Sequence, residues 1–167
     1  DTNGSTVSSG NLKVVTPSSG YGTTRANVGV STGKWYWEVL FDPSGGNYGP
    51  FIGIMPPEDA LSNYPGQTAN SYSIYSEGAS FYKKYNNATA TTYGTGFGIG
   101  CLIGVAFDAT NGTLECFRNG ISEGVAFTGI PSRTYLPAIA DGTNGGGVKL
   151  VANFGQKPFK FPQPASF

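Results

Sequence analysis

The stretch from Leu102 to Gly120, LIGVAFDATNGTLECFRNG, limits the possible folds of this chain more than any other. Two runs in it alternate with the period of a strand, placing Ile103, Val105 and Phe107 on one face of the first and Leu114 and Cys116 on one face of the second. Between them Asn111-Gly112 offers two residues that tolerate positive φ at little cost, so the chain reverses there into an antiparallel hairpin. Asn119-Gly120 turns it a second time. Such a meander has one apolar face and is marginal by itself. It needs a second layer of structure over that face, and the rest of the chain must provide it.

At 167 residues the chain fits one domain, and a compact fold of this size buries roughly 70% of the surface its unfolded chain exposes. A core of that extent needs no metal or disulfide. Charged residues make up 12% and cancel to a net charge of zero, which leaves no electrostatic footprint for nucleic acid or an anionic membrane. No apolar run approaches the ~18 to 20 residues of a membrane span, so membrane insertion is not expected. The opening DTNGSTVSSG has neither an initiator Met nor the pattern of a signal peptide, and reads as the start of an excised or processed piece. The 26 glycines, 11 prolines and 14% aromatic content suit many short strands joined by tight turns. The hairpin register puts Cys116 opposite residues 105 to 107, too far from Cys101 for bridging, so two separate thiols are expected.

Taken in order, residues 1–10 read as a flexible tail or linker, and 11–15 and 25–30 as short strands. Lys34 to Phe41 is the strongest strand, with Trp35, Trp37, Val39 and Phe41 on one face, so both tryptophans are expected in the core. Phe51 to Met55 follows, its Gly53 leaving room for a closely packed neighbour. Pro56 to Leu61 has the composition of a helical turn. Strands over 71–75 and 80–85 flank a turn at Glu77-Gly78; after the meander come strands over 121–127, 135–140 and 148–154, with a glycine-rich turn over 141–147. The expected fold is all-β, an antiparallel two-sheet β-sandwich. Its domain runs over 11–159, with a C-terminal tail at 160–167.

The residue chemistry excludes most catalysis. The chain has no histidine, which removes the commonest general base and metal ligand and every Ser-His or Cys-His nucleophile. Its ten acidic residues place no pair of carboxylates on one strand facing one groove, as a glycosidase would need. Asp108 reads as a turn residue. The glycine-rich runs at 94–98 and 145–147 do not lead from a strand into a helix, so they are turns and not phosphate cradles. No enzyme activity, catalytic residue, cofactor or metal is expected.

The feature that asks for a function is the tyrosine-rich region, in which Tyr64, Tyr72, Tyr75, Tyr82, Tyr85 and Tyr93 are interleaved with Ser, Asn, Gly and Lys. Tyrosine presents a rigid apolar ring with a polar tip at low entropic cost, and this mixture is that of adaptable binding loops. With alternate tyrosines assigned to the sandwich, Asn47, Tyr48, Asn63, Tyr64 and Tyr93 are the loop residues expected to touch a partner.

Gly33-Lys34-Trp35-Tyr36-Trp37-Glu38-Val39, Ile103-Gly104-Val105-Ala106-Phe107-Asp108, Gly112-Thr113-Leu114, Asn119-Gly120, Leu136-Pro137-Ala138 and Asn153-Phe154-Gly155-Gln156 resemble the SPRY domain in wording and order, over about Gly33 to Phe159. The resemblance implies a bent, concanavalin-like jelly-roll sandwich and a non-enzymatic module that binds partners through loops at one end. Cys101 and Cys116 depart from the family pattern, standing where it often has an aspartate and an aromatic. The wording of 31–39, 126–129 and 153–159 looks like copies in bacteriophage and environmental viral structural proteins. It implies a place at a virion surface, with protein, surface glycan or other virion subunits as partners. Three functions remain open: a protein-recognition module, a lectin-like carbohydrate binder, or a structural domain packing against copies of itself. The oligomeric state is open too, a trimer through flanking regions being one arrangement.

Overall fold

The computed structural model describes residues 1–45, 49–77, 81–142 and 147–167, the side chains of residues 77 and 81–83 excepted. It contains β1 (Thr6–Ser8), β2 (Lys13–Val15), β3 (Thr24–Arg25), β4 (Lys34–Phe41), β5 (Pro50–Met55), β6 (Tyr72–Glu77), β7 (Phe81–Asn86), β8 (Thr89–Thr92), β9 (Leu102–Asp108), β10 (Thr113–Arg118), β11 (Ile121–Phe127), β12 (Leu136–Asp141) and β13 (Lys149–Asn153). A seven-stranded sheet runs β1-β2-β13-β4-β9-β10-β11, and a six-stranded sheet runs β3-β12-β5-β6-β7-β8. Every pairing within these sheets is antiparallel. The chain is therefore all-β, a two-sheet sandwich, as its alternating pattern indicates.

The meander takes the expected register, with a reversal over residues 109–112 in which Gly112, at φ 65°, but not Asn111, has positive φ. Cys116 lies opposite Val105, and Leu114 opposite Phe107. Asp108 holds the reversal, its Oδ1 accepting the backbone N–H groups of Thr110 and Asn111 at 3.1 and 2.9 Å. These bonds, with the nearby Lys34 ammonium, keep its carboxyl below the usual range against the opposing effect of burial. Asn119 and Gly120 both have positive φ, 50° and 81°, as the second turn requires. Cys101 and Cys116 are separate thiols, and burial drives the Cys116 pKa upward.

Between the sheets, Trp37, Val39 and Phe41 of β4 and Ile103, Val105 and Phe107 of β9 meet Ile52 and Ile54 of β5 and Tyr72 and Ile74 of β6. Each such side chain contributes about 1.5–3 kcal/mol by leaving water. Gly53 permits the close approach of β5 and β6, since a Cβ there would stand 1.9 Å from the Tyr72 carbonyl oxygen.

Two details differ from the sequence reading. Residues 56–63 form successive tight turns instead of a helical turn, with Asp59 N–H donating to Pro56 O and Asn63 N–H to Ala60 O. Trp35 is not a core residue: at the start of β4 it lies beyond the cover of the other sheet and is 45% exposed, whereas Trp37 is 3% exposed. Both end segments make contacts with the sandwich. Thr2 bridges Thr24 at the edge of the six-stranded sheet, β1 pairs with β2 of the other sheet, and the segment so laces the two sheets together. At the opposite terminus Lys160 and Phe161 donate their backbone N–H groups to the buried Glu38 carboxylate. The turn assigned to Gly78 and most of the 141–147 turn fall outside the described residues.

Candidate functional site

The outer face of the six-stranded sheet carries a second apolar cluster. On neighbouring strands Phe51, Tyr75 and Tyr85 point away from the core, Phe51 standing directly opposite Tyr75 in the β5–β6 ladder. The long 56–71 connection folds back over them and lays Tyr64 flat on Phe51, with ring centroids 4.2 Å apart and planes 15° apart. Tyr85 meets Phe51 edge-on at 5.2 Å, and Tyr21 meets Tyr64 edge-on at 4.9 Å. Pairs of this kind are worth about 0.5–1.5 kcal/mol beyond the area they bury. Phe51 and Tyr75 are buried in the middle, while Tyr21, Tyr64 and Tyr85 remain partly exposed around them. The result is a platform whose centre is rigid and whose rim of tyrosine rings faces solvent.

Hydrogen bonds fix the connection that brings Tyr64 there. Thr23 Oγ1 donates to Asn63 O at 2.8 Å, Tyr64 N–H donates to Gln67 Oε1 at 3.1 Å, and Gln67 N–H returns to Tyr64 O at 3.0 Å. Ser71 Oγ accepts from Gly66 N–H at 2.8 Å. Partial burial, reinforced by Tyr21 and Tyr85, raises the Tyr64 pKa, so its hydroxyl is a neutral donor at physiological pH. The partly exposed Asn63 amide sits next to it.

Of the five residues expected to touch a partner, three lie among the described residues. Asn63 and Tyr64 are at the platform. Asn47 and Tyr48 lie outside the described residues, though Gly49 beside them borders the platform, its carbonyl accepting Gly142 N–H at 2.9 Å. Tyr93, expected in a binding loop, is instead a core residue at 8% exposure. Its hydroxyl donates to Gly124 O at 2.5 Å and accepts from Cys116 N–H at 3.3 Å, and burial raises its pKa. The reason is β8, a strand of Thr-Ala-Thr-Thr with no large apolar side chain to announce it; Tyr93 follows directly and is carried inward.

Tyr21, Phe51 and Tyr85 belong to the platform but were absent from the expected set. For Phe51 and Tyr85 the signal was the strand period once the register is known. Tyr21 had none, because Asp141 N–H holds it by a backbone bond across more than a hundred residues. A second surface feature, around the exposed Trp35, Val28 and Phe154, is a groove of about 310 Å³. Among the described residues, no three His, Cys, Asp or Glu side chains group as metal ligands.

Residues 34–157 match the family model of the SPRY domain. The chain is 32% identical over 131 residues to the Ran-binding proteins 9/10 homolog of Drosophila melanogaster, covering 78% of this chain and 13% of that protein. It is 32% identical over 146 residues to the E3 ubiquitin-protein ligase RKP of Arabidopsis thaliana, covering 85% and 11%. With Ran-binding protein 10 of Danio rerio it shares 33% over 133 residues, covering 79% and 21%. This chain thus spans between 11% and 21% of the length of these relatives. Its fold is similar to that of the SPRY domain of human HERC1, with a TM-score of 0.73 and 18% identity over 94% of this chain and 96% of the other. A further human SPRY domain gives a TM-score of 0.76 at 17% identity, over 95% and 99%.

Proposed function

The chain belongs to the SPRY domain family, and from that premise we propose that it is a non-catalytic module that recognises a partner protein, presented by a larger polypeptide. The observation that carries the reading is the tyrosine platform of Tyr21, Tyr64 and Tyr85 around Phe51. Tyrosine-rich patches on a rigid support are where binding energy concentrates at protein interfaces. The Asn63 amide and the tyrosine hydroxyls supply polar contacts at its rim. Asn47 and Tyr48 join this site in our reading, since their chain neighbour Gly49 borders it; Tyr93 acts only from within, by fixing β8 against β10 and β11. The folded unit in this reading is wider than 11–159, because residues 2 and 6–8 and the backbone at 160 and 161 are part of the sandwich.

The names of the relatives offer Ran as one protein to try and the ubiquitin-ligase context as another. The narrower reading as part of a virion has only the wording of 31–39, 126–129 and 153–159 behind it, and every relative named above is eukaryotic. The test is a library of displayed random linear peptides panned on this chain, with a glycan array in parallel. The reading expects enriched peptides whose affinity falls about tenfold or more, ~1.4 kcal/mol, with Tyr21→Ala or Tyr64→Ala while the fold persists. An enriched pool in which no peptide depends on Tyr21 or Tyr64 contradicts the platform, and a saccharide signal without a peptide signal contradicts protein recognition.

A further inference from the structure

Six large apolar side chains are conspicuously exposed among the described residues, and four of them, Val7, Val28, Trp35 and Phe154, line two grooves that run into one another. The grooves, of about 310 and 340 Å³, share Ala26, Asn27 and Phe154. They follow the side of the sandwich where β3 and β12 face β2, β13 and the start of β4. Chance scatter of apolar residues over a surface needs no explanation, but gathering them in one concave strip does.

A third, smaller hollow adjoins the strip. It shares Ala26, Trp37, Pro137 and Phe154 with the groove, has a volume of about 60 Å³, and is walled by Val14, Val39 and Ile139 among others. The two sheets do not fill the space between them here. This cavity is lined mainly by carbon, so it can receive an apolar group, although Asn11, Thr24 and Arg25 also line it.

We propose that this strip is a second docking site, separate from the tyrosine platform, and that its occupant is an extended segment of a partner protein inserting one bulky uncharged side chain between Trp35 and Phe154. No charged side chain lines the groove at that end, so a charged anchor would be stripped of water without an ion to pair with. The exposed Asn27 amide on the rim makes no hydrogen bond among the described residues and is available to the backbone of such a segment. A groove of this volume takes a side chain and its neighbours. It does not supply the roughly 800 Å² per partner of a stable globular interface.

A second copy of this chain fits less well. The remaining exposed apolar side chains, Ile121 and Val125, lie on β11, three strands from β4 in the same sheet. Their insertion into the groove of another copy would join two different patches, which gives a ring or filament unless both patches meet both grooves at once.

The experiment pans displayed random linear peptides on the wild-type chain after pre-clearing on the Val28→Lys variant. Val28 is 64% exposed, so the variant is expected to fold, which its thermal melt verifies. The expected survivors carry a bulky uncharged residue at a fixed place. They bind Val28→Lys and Phe154→Ala at least tenfold more weakly than wild type and bind Tyr64→Ala unchanged. The proposal is overturned if no peptide survives pre-clearing or if survivors depend on Tyr64 instead of Val28. It is equally overturned if light scattering shows the wild type growing with concentration while Val28→Lys stays monomeric, which would make copies of the chain the occupant. Because the Tyr64 variant reports on the platform and the Val28 variant on the groove, either site can fail alone.

Discussion

The outer faces of the two sheets are finished in opposite ways. On the seven-stranded sheet the chain covers itself: Phe159 packs edge-on against Tyr36 with centroids 4.9 Å apart, and the Phe161 ring lies against Gly120. Beneath this segment Glu38, 2% exposed, takes three bonds of 3.0–3.2 Å from the Lys160 and Phe161 N–H groups. No cation pairs with that carboxylate among the described residues, so the backbone donors alone hold it. On the six-stranded sheet the covering connection stops at Tyr64 and leaves a ring of tyrosines partly open. A face closed by buried polar bonds is spent on stability, whereas a face closed by stacked rings keeps adhesive surface. That contrast is the reason for proposing recognition on the second.

The sharpest way to break the contrast is Phe51→Ala. If Phe51 is the rigid centre of the platform, its loss costs about 3–5 kcal/mol in denaturant unfolding; a cost under about 1 kcal/mol would mean that the rings do not depend on it. Glu38→Ala comes next. Stranding the Lys160 and Phe161 donors costs about 2–3 kcal/mol, and hydrogen exchange at those two amides should accelerate while the amides of β5 and β6 stay protected. Equal acceleration in both sheets would show that the segment is not a local cover.

Acid separates the faces more gently. Asp42 is held down to about 2 by hydrogen bonds from Ser44 and by Lys13, and Asp108 is lowered by the Asn111 and Thr110 bonds and Lys34. Both belong to the seven-stranded sheet or its turns. Their folded pKa values lie below the unfolded ones, so the stability they contribute is complete above about pH 4. It is lost as pH falls toward 2. Unfolding free energy measured from pH 7 to 2 should drop over that window, and Asp42→Asn with Asp108→Asn should flatten the drop. An undiminished slope in the double variant would assign the acid sensitivity elsewhere. The smallest effect on stability is expected for Tyr21→Ala, within about 1 kcal/mol because the ring is partly exposed, although binding to a selected peptide should fall tenfold.

The contrast also shows what could be read from the chain alone. The meander was legible in its faces and its two reversals, because Ile103, Val105, Phe107, Leu114 and Cys116 alternate and an Asn-Gly pair lies at each turn, and so was the sandwich. Local pattern encodes those features. Tyr93 was misplaced because β8 carries no apolar alternation, and Trp35 because the period assigns a face without saying where the opposing sheet ends. The platform was half legible. Tyr64 stood out by composition, but its partners Tyr21 and Phe51 come from segments 43 and 13 residues away and meet it only through long-range pairing. The Glu38 site was not legible at all, since nothing in Trp-Glu-Val foretells two backbone donors from residues 160 and 161.

The central claim is that partner binding uses the open tyrosine face and not the closed one. Residue-resolved NMR titration of the isotope-labelled chain with a selected peptide tests it most directly. The account predicts perturbed resonances at Tyr21, Asn63, Tyr64 and Tyr85, with Tyr36, Phe159 and Phe161 unmoved. Perturbations centred on the Phe159–Phe161 segment, with the tyrosine rim silent, would contradict it.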